Sequence, residues 1–172
     1  MSKRSRESMR EFQARLTERI QAVQIQTGPG SKLGFIAGGR QWLVNLDQIN
    51  EVVTVPALAG IPWTKPWFAG VANVRGVVYG CTDLAAFLDL SAPLPVGESR
   101  LLLVNPEFGV NAGWRVERAL GLRSIERLTR EPDNDNAPPW EKGRWRDADR
   151  SEWVEIDFSY LVALPKFLEA GL

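Results

Sequence analysis

Apolar residues change their spacing along this chain. In the first segment they fall at Met9, Phe12, Leu16, Ile20 and Val23, steps of three, four, four and three that lay one stripe along a helix. The pattern predicts a helix over 6–26, opened by a Ser8/Glu11 capping box. Thr27-Gly28-Pro29-Gly30 stops it, because glycine takes the left-handed cap and proline cannot extend the ladder.

From Lys32 the period shortens to that of strands. Residues 33–37 and 41–46 read as a hairpin turning at Gly38-Gly39, and 49–55 as a β-branched strand ended by Pro56. A connector punctuated by Pro62 and Pro66 holds Trp63 and Trp67. Two short strands, 71–74 and 77–82, flank Arg75-Gly76. Asp83 is placed to cap a helix running to about Leu88, with Leu84, Phe87 and Leu88 on one face. Beyond a linker at Pro93-Leu94-Pro95 and Gly97, strands are expected over 100–105, 110–116 and 119–122. A polar, turn-rich stretch at 132–139 precedes a hairpin in which Trp145 and Trp153 bracket Asp147-Ala148-Asp149. Asp157 then starts a short helix carrying Leu161, Leu164, Phe167 and Leu168. Many short strands with brief helices imply small barrels or a sandwich, and the proline-rich gap at 91–99 is expected to divide two sub-barrels.

Composition narrows the chemistry. Lys and Arg together number 21, as do Asp and Glu, and there is no histidine and one cysteine, Cys81. A balanced charge gives no basic footprint for nucleic acid. Without histidine, the commonest general base and metal ligand near neutral pH is missing, which argues against zinc, haem and Ser-His or Cys-His chemistry. A lone cysteine forms no internal disulfide and suits a reducing compartment. Neither a membrane-length apolar run nor a secretory h-region is present, so the expectation is a cytoplasmic protein with no direct membrane insertion, no cofactor and no catalytic or metal-binding residues. Cys81 reads as a small buried apolar residue, and most of the seven tryptophans as core, with Trp63 and Trp67 the surface candidates.

The first segment carries six basic residues against three acidic ones. A basic amphipathic helix can lie on a membrane or a partner, but acidic residues interrupt its polar face, which favours a helix packed on its own domain. The stretch 131–152 has the opposite bias, seven acidic residues to four basic.

The most informative stretch is Gly70-Val71-Ala72-Asn73-Val74-Arg75-Gly76-Val77-Val78. Asn73 can tie its side chain to nearby backbone, and Gly76 admits a backbone angle other residues resist. Arg75 stands between two apolar runs and needs solvent or a partner. Glu51, similarly set in Ile49-Asn50-Glu51-Val52-Val53, is its candidate partner. An exposed pair of this kind adds little stability, so its expected use is to orient a binding surface.

With these elements in order, the chain resembles the CheW family of chemotaxis coupling proteins. The family pattern is a strand hairpin, an Ile/Val-rich strand with a glutamate, a proline connector, G-V-x-N-L-R-G, a strand and V-D-L. Here it reads as 35–46, 49–53, 62–67, 70–76 and Thr82-Asp83-Leu84. The likeness covers about 32–168 and is in outline only after residue 101. Val74 stands where the family has Leu, and Glu117-Arg118 where it has an Asp-Gly turn. The N-terminal helix, the 140–153 insertion and the Pro165-Lys166-Phe167-Leu168 ending look more like the family's type IV pilus (twitching motility) branch.

The resemblance implies a mostly β fold: two small five-stranded SH3-like β-barrels over 31–172, after an N-terminal helical extension at 1–30 and with a short C-terminal helix. It implies a non-catalytic adaptor that bridges a CheA-type histidine kinase to the cytoplasmic tips of methyl-accepting chemoreceptors. By position, Ile49, Arg75 and Val116 would lie in or near the groove taking a receptor helix. Glu51 would pair with Arg75, Val52 would face the kinase, and Asn73 and Gly76 would shape the turn that carries Arg75. The rival reading, a metal-dependent hydrolase using Asp147, Asp149 or Asp157, needs those carboxylates to converge without a histidine.

Overall fold

A computed structural model describes residues 30–90 and 98–172; the 6–26 helix and the 91–97 part of the linker lie outside them. Eleven strands are described: β1 (Ser31–Ala37), β2 (Arg40–Asn45), β3 (Ile49–Thr54), β4 (Phe68–Val74), β5 (Val77–Asp83), β6 (Arg100–Val104), β7 (Ala112–Val116), β8 (Arg118–Ser124), β9 (Thr129–Arg130), β10 (Glu141–Arg146) and β11 (Glu152–Ile156). Short α-helices α1 (Leu84–Phe87), α2 (Phe158–Ala163) and α3 (Pro165–Leu168) and single 3-10 turns at Leu46–Gln48, Pro106–Phe108 and Ile125–Arg127 accompany them. Each expected strand is present, and β9, two residues long with no apolar pattern, is an addition.

The strands form two sheets, one ordered β8-β1-β2-β11-β10-β9 and the other β3-β6-β7-β5-β4. This corrects two expectations. The proline-rich gap does not separate two units, because β5 before it and β6 after it belong to the same five-stranded sheet. The first sheet is instead completed from the far end of the sequence, β2 pairing in parallel with β11. Nor do the sheets hold five strands each or close into barrels. Among the described residues no ladder joins β8 to β9, or β3 to β4.

Period-two burial explains how one chain serves both sheets. In β6, Leu101, Leu102, Leu103 and Val104 are all buried, since successive side chains leave opposite faces of a strand. Leu102 and Val104 enter the main core, and Leu101 and Leu103 a smaller cluster with Ala72, Tyr79 and Cys81. Likewise Trp42 and Val44 of β2 face the main core, while Leu43 joins Trp145 and Trp153 on the other face of its sheet. β2 and β6 are thus buried on both faces, which is why they read as continuous apolar runs. Fully burying one such Leu is worth roughly 1.5–3 kcal/mol.

The main core lies between the sheets and is closed by the helices through a chain of rings. Trp67 meets Phe87 edge-on at 5.0 Å, Phe87 meets Trp114 at 5.3 Å, and Trp114 packs on Phe158 at 5.5 Å and Phe167 at 5.2 Å. Offset and edge-on pairs at such distances add to area burial. Trp67 is buried within this chain, correcting its reading as a surface residue. Trp63 is 81% exposed, as expected. Its carbonyl accepts the Leu172 amide at 2.8 Å, and Lys65 N–H donates to Ala170 at 2.7 Å, so the last residues clasp the connector.

Asp83 caps α1 by accepting the Ala86 amide at 3.0 Å and also binds Arg115 of β7 at 2.9 Å. One carboxylate therefore fixes the start of the helix and the parallel pairing of β5 with β7. Two other carboxylates have comparable structural roles. Asp147 accepts the Trp153 indole and the Asp149 and Ser151 amides. Asp157 opens α2, accepting Gln48, Ser159 and Tyr160.

Candidate functional site

The site is assembled between edge strand β3 and the β4–β5 hairpin of the five-stranded sheet. In β3 the register against β6 shifts between Ile49 and Glu51. A bulge of this kind re-aims the side chains beyond it. Ile49 accordingly packs against the main core and Val53 against the smaller cluster, leaving Glu51 at the seam. On the opposite edge, β4 and β5 form a hairpin whose last pair is Val74 with Val77, so Arg75-Gly76 is a two-residue turn.

Both turn residues are left-handed, Arg75 at φ 51° and Gly76 at φ 84°, the pattern a twisted two-residue hairpin prefers. Asn73 Oδ1 accepts the Gly76 amide at 2.8 Å, fixing the turn from its own strand. A left-handed backbone suits Gly76 but is unfavourable for Arg75, whose Cβ crowds the following carbonyl. Something outside the turn must favour arginine there. The guanidinium reaches across the seam, Nη1 and Nη2 each donating to one Glu51 carboxylate oxygen at 2.5 Å. This planar two-point geometry is available to arginine and not to lysine. The hydrogen bonds from Arg75, aided by its charge, hold the Glu51 carboxyl below its ordinary range despite some desolvation.

Around this latch lie apolar side chains that the fold does not cover: Val52, Val77 and Val78, the last 56% exposed. Arg75 itself is largely in solvent. The surface is therefore a fixed ion pair bordered by valines. The connector that frames β4 is zipped to it, Ala59 and Val71 exchanging backbone bonds of 2.8 and 2.9 Å. Gly70 allows that approach, since a Cβ there would stand 2.5 Å from the Ala59 carbonyl oxygen, on a backbone at φ 129°.

The structure brings together Glu51, Val52, Asn73, Arg75 and Gly76. Ile49 lies half-buried at the base of the same strand, packed on the core. Val116 is apart from them in accessibility: it is wholly buried in the main core, so its side chain supports the surface and is not displayed on it. Sequence reasoning missed Val77 and Val78 as surface residues; two adjacent valines beside a charged turn were the available signal. Glu117, noted as a departure, accepts the Gly39 amide at 2.9 Å and thereby ties the β7–β8 corner to the β1–β2 turn.

Burial pushes the Cys81 thiol up to about 11, so it is protonated and unreactive at neutral pH. Asp147, Asp149 and Asp157 do not converge, and among the described residues no group of three or more acidic or cysteine side chains is placed to hold a metal. Among them, no helix is long and apolar enough to cross a membrane.

Comparison with known sequences places this architecture. The model of the CheW-like domain matches residues 32–165. The chain belongs to the CheW-like family. This CheW-like chain is 33% identical to the protein PilI of Pseudomonas aeruginosa over 114 residues, which are 66% of this chain and 61% of that protein. It thus matches less than two thirds of that relative's length. It is 25% identical over 129 residues to the chemotaxis protein CheW of Bacillus subtilis, spanning 75% of this chain and 77% of that one. Among solved structures, the scaffolding protein TtCheW of Thermoanaerobacter tengcongensis superposes with a TM-score of 0.68 at 19% identity, covering 81% of this chain and 91% of the other. At that identity the likeness is one of fold.

Proposed function

We propose that this chain is a non-catalytic cytoplasmic adaptor that couples a CheA-type histidine kinase to the tips of chemoreceptors, in a pathway controlling type IV pilus twitching motility. The observation that carries the reading is the Glu51–Arg75 pair, fixed at two points and displayed beside exposed Val52, Val77 and Val78. Such a surface has the make-up of an interface: an arginine anchor with restricted geometry, bordered by apolar side chains that a partner would dehydrate. The kinship with PilI supports the pilus branch, and kinship with the Bacillus subtilis chemotaxis protein supports the adaptor role.

In this reading Arg75 and the half-buried Ile49 meet the receptor helix, and Val52 faces the kinase. Asn73 and Gly76 hold the turn, Glu51 holds the guanidinium, and Val116 acts from within by supporting the sheet. No step of bond chemistry is required of the chain. Co-purification of kinase and receptor fragment on tagged protein tests it. Wild type is expected to retain both, and Arg75→Glu to stay folded and lose at least one. Retention of both by the variant contradicts this use of the latch.

A further inference from the structure

The connector between β3 and β4 displays a tryptophan that its own core does not take up. Pro62 and Trp63 are the central residues of a turn, and Trp63 is left-handed at φ 62°. A proline followed by a left-handed residue is the type II arrangement, whose second central position suits glycine or asparagine. A bulky aromatic is unfavourable there. This one is 81% exposed, so little packing within the chain offsets the strain. The Thr64 hydroxyl donates to the Ile61 carbonyl at 2.9 Å, and the Leu172 amide clasps the turn through the Trp63 carbonyl. Any residue presents that carbonyl, so the clasp gives no reason for an indole.

Trp63 has apolar company. Ile61 on the same turn, and Leu168 and Leu172 on the segment that clasps it, are also exposed. The four side chains present roughly 500 Å² of apolar surface, toward the upper end of what a monomer leaves uncovered, and Trp63 supplies roughly 200 Å² of it. The charges beside them are of both signs. Lys166 pairs with Asp89 at 3.4 Å. Lys65, whose amide bonds to Ala170, and Glu169, which precedes Ala170, have no ion pair among the described residues. This balance does not suit an anionic lipid surface, which requires a basic face. It suits the patch's own twofold image, in which the apolar centres meet and Lys65 of each copy faces Glu169 of the other. Two such patches buried together withdraw about 1,000 Å², the least that a specific interface needs. With Lys and Arg equal to Asp and Glu, no net charge holds two copies apart.

We propose that this corner is a self-association surface, on which two copies of the chain pair about a twofold axis with Trp63 as the anchor of each. Trp63 precedes β4 and Arg75 follows it, so the seven residues of that strand, roughly 20 Å, lie between the two surfaces. Pairing leaves the Arg75 surface open, and two copies together carry two such surfaces. The inference does not depend on the adaptor reading.

Sedimentation velocity of the full chain over roughly 1–300 μM tests it. Wild type should pass from monomer to dimer across that range. Trp63→Gly and Trp63→Asn, which relieve the turn, should unfold on heating no earlier than wild type and should weaken dimerisation at least roughly tenfold. Lys65→Glu should weaken it as well, and Lys65→Glu/Glu169→Lys should restore it, because reversing both charges preserves each cross-pair. Val78→Ser, on the Arg75 surface, should leave it unchanged. A wild type that is monomeric throughout, a dimer indifferent to Trp63→Gly, no recovery in the charge-reversed double variant, or equal weakening by Val78→Ser overturns the proposal. Earlier unfolding of both Trp63 variants also overturns it, since the indole would then serve the fold. Monomeric wild type whose capture of kinase or receptor fails in Trp63→Gly assigns the corner to that partner instead.

Discussion

Glu51 and Arg75 are 24 positions apart in sequence, one in edge strand β3 and the other in the β4–β5 turn, and are joined by two hydrogen bonds of 2.5 Å. The pair links the edge strand β3 to the β4–β5 turn through side chains alone. The cost is a left-handed arginine, and the result is a guanidinium whose orientation is set before any partner arrives.

That relationship separates stability from function. Asn is at ease in the left-handed region and is favoured before Gly in such turns, so Arg75→Asn removes the latch while relieving the backbone. Thermal unfolding of the variant should begin no lower than wild type, and its capture of kinase and receptor should fall at least roughly tenfold, a change of about 1.4 kcal/mol. A marked loss of thermal stability would mean that the latch holds the sheet and does not chiefly serve a partner.

Lys32 and Glu155 form a second ion pair, 123 positions apart and buried, at 2.8 Å. Lys32 also donates to Asn45, and the Trp145 indole donates to Glu155 at 3.1 Å, so four strands share one network. Removing one buried partner strands the other's charge. Glu155→Ala should cost roughly 3–5 kcal/mol in denaturant unfolding, while Lys32→Met/Glu155→Leu should recover most of that loss.

Gly70 controls whether the connector can lie against β4. Gly70→Ala sets a methyl against the Ala59 carbonyl on a backbone unfavourable to any side chain. A destabilisation of roughly 2–4 kcal/mol is expected. Exchange at the Ala59 and Val71 amides should rise before that of β6 and β7.

Acid should weaken the fold through Asp147 and Asp157. The Trp153 indole and the Ser151 amide hold the Asp147 carboxyl low. For Asp157, burial pulls upward, but Ser159, Tyr160, Gln48 and the charge of Lys142 outweigh it, and the net direction is down. Both carboxyls are therefore more acidic folded than unfolded, and the unfolded chain binds protons first as pH falls. Their contribution is fully present above the unfolded value near 3.9 and is lost as pH drops through the lower folded values. Unfolding midpoints should be flat from about pH 7 to 5 and fall below about pH 4. Asp157→Asn should flatten that fall.

Local patterns made the strands, the hairpin turns, the Asp83 and Asp157 caps and the Asn73–Gly76 turn legible, because each depends on residues a few positions apart. Glu51 and Arg75 could be matched as two charges in apolar surroundings. What escaped was long-range pairing. Nothing within β2 states that its neighbour is β11, so the division at the proline gap looked natural and was wrong. Nothing near Lys32 in sequence points to Glu155, 123 positions away. Trp67 in a proline connector reads as exposed until the helices bring Phe87 against it.

The central claim, that this chain couples kinase to receptor through the Arg75 surface, is tested most directly by reconstitution. A CheA-type kinase, receptor in lipid nanodiscs and this protein would be combined, and autophosphorylation measured with and without receptor stimulus. Wild type should place the kinase under receptor control, and folded Arg75→Glu should leave its activity indifferent to the stimulus. Receptor control retained at wild-type level by Arg75→Glu would contradict the account.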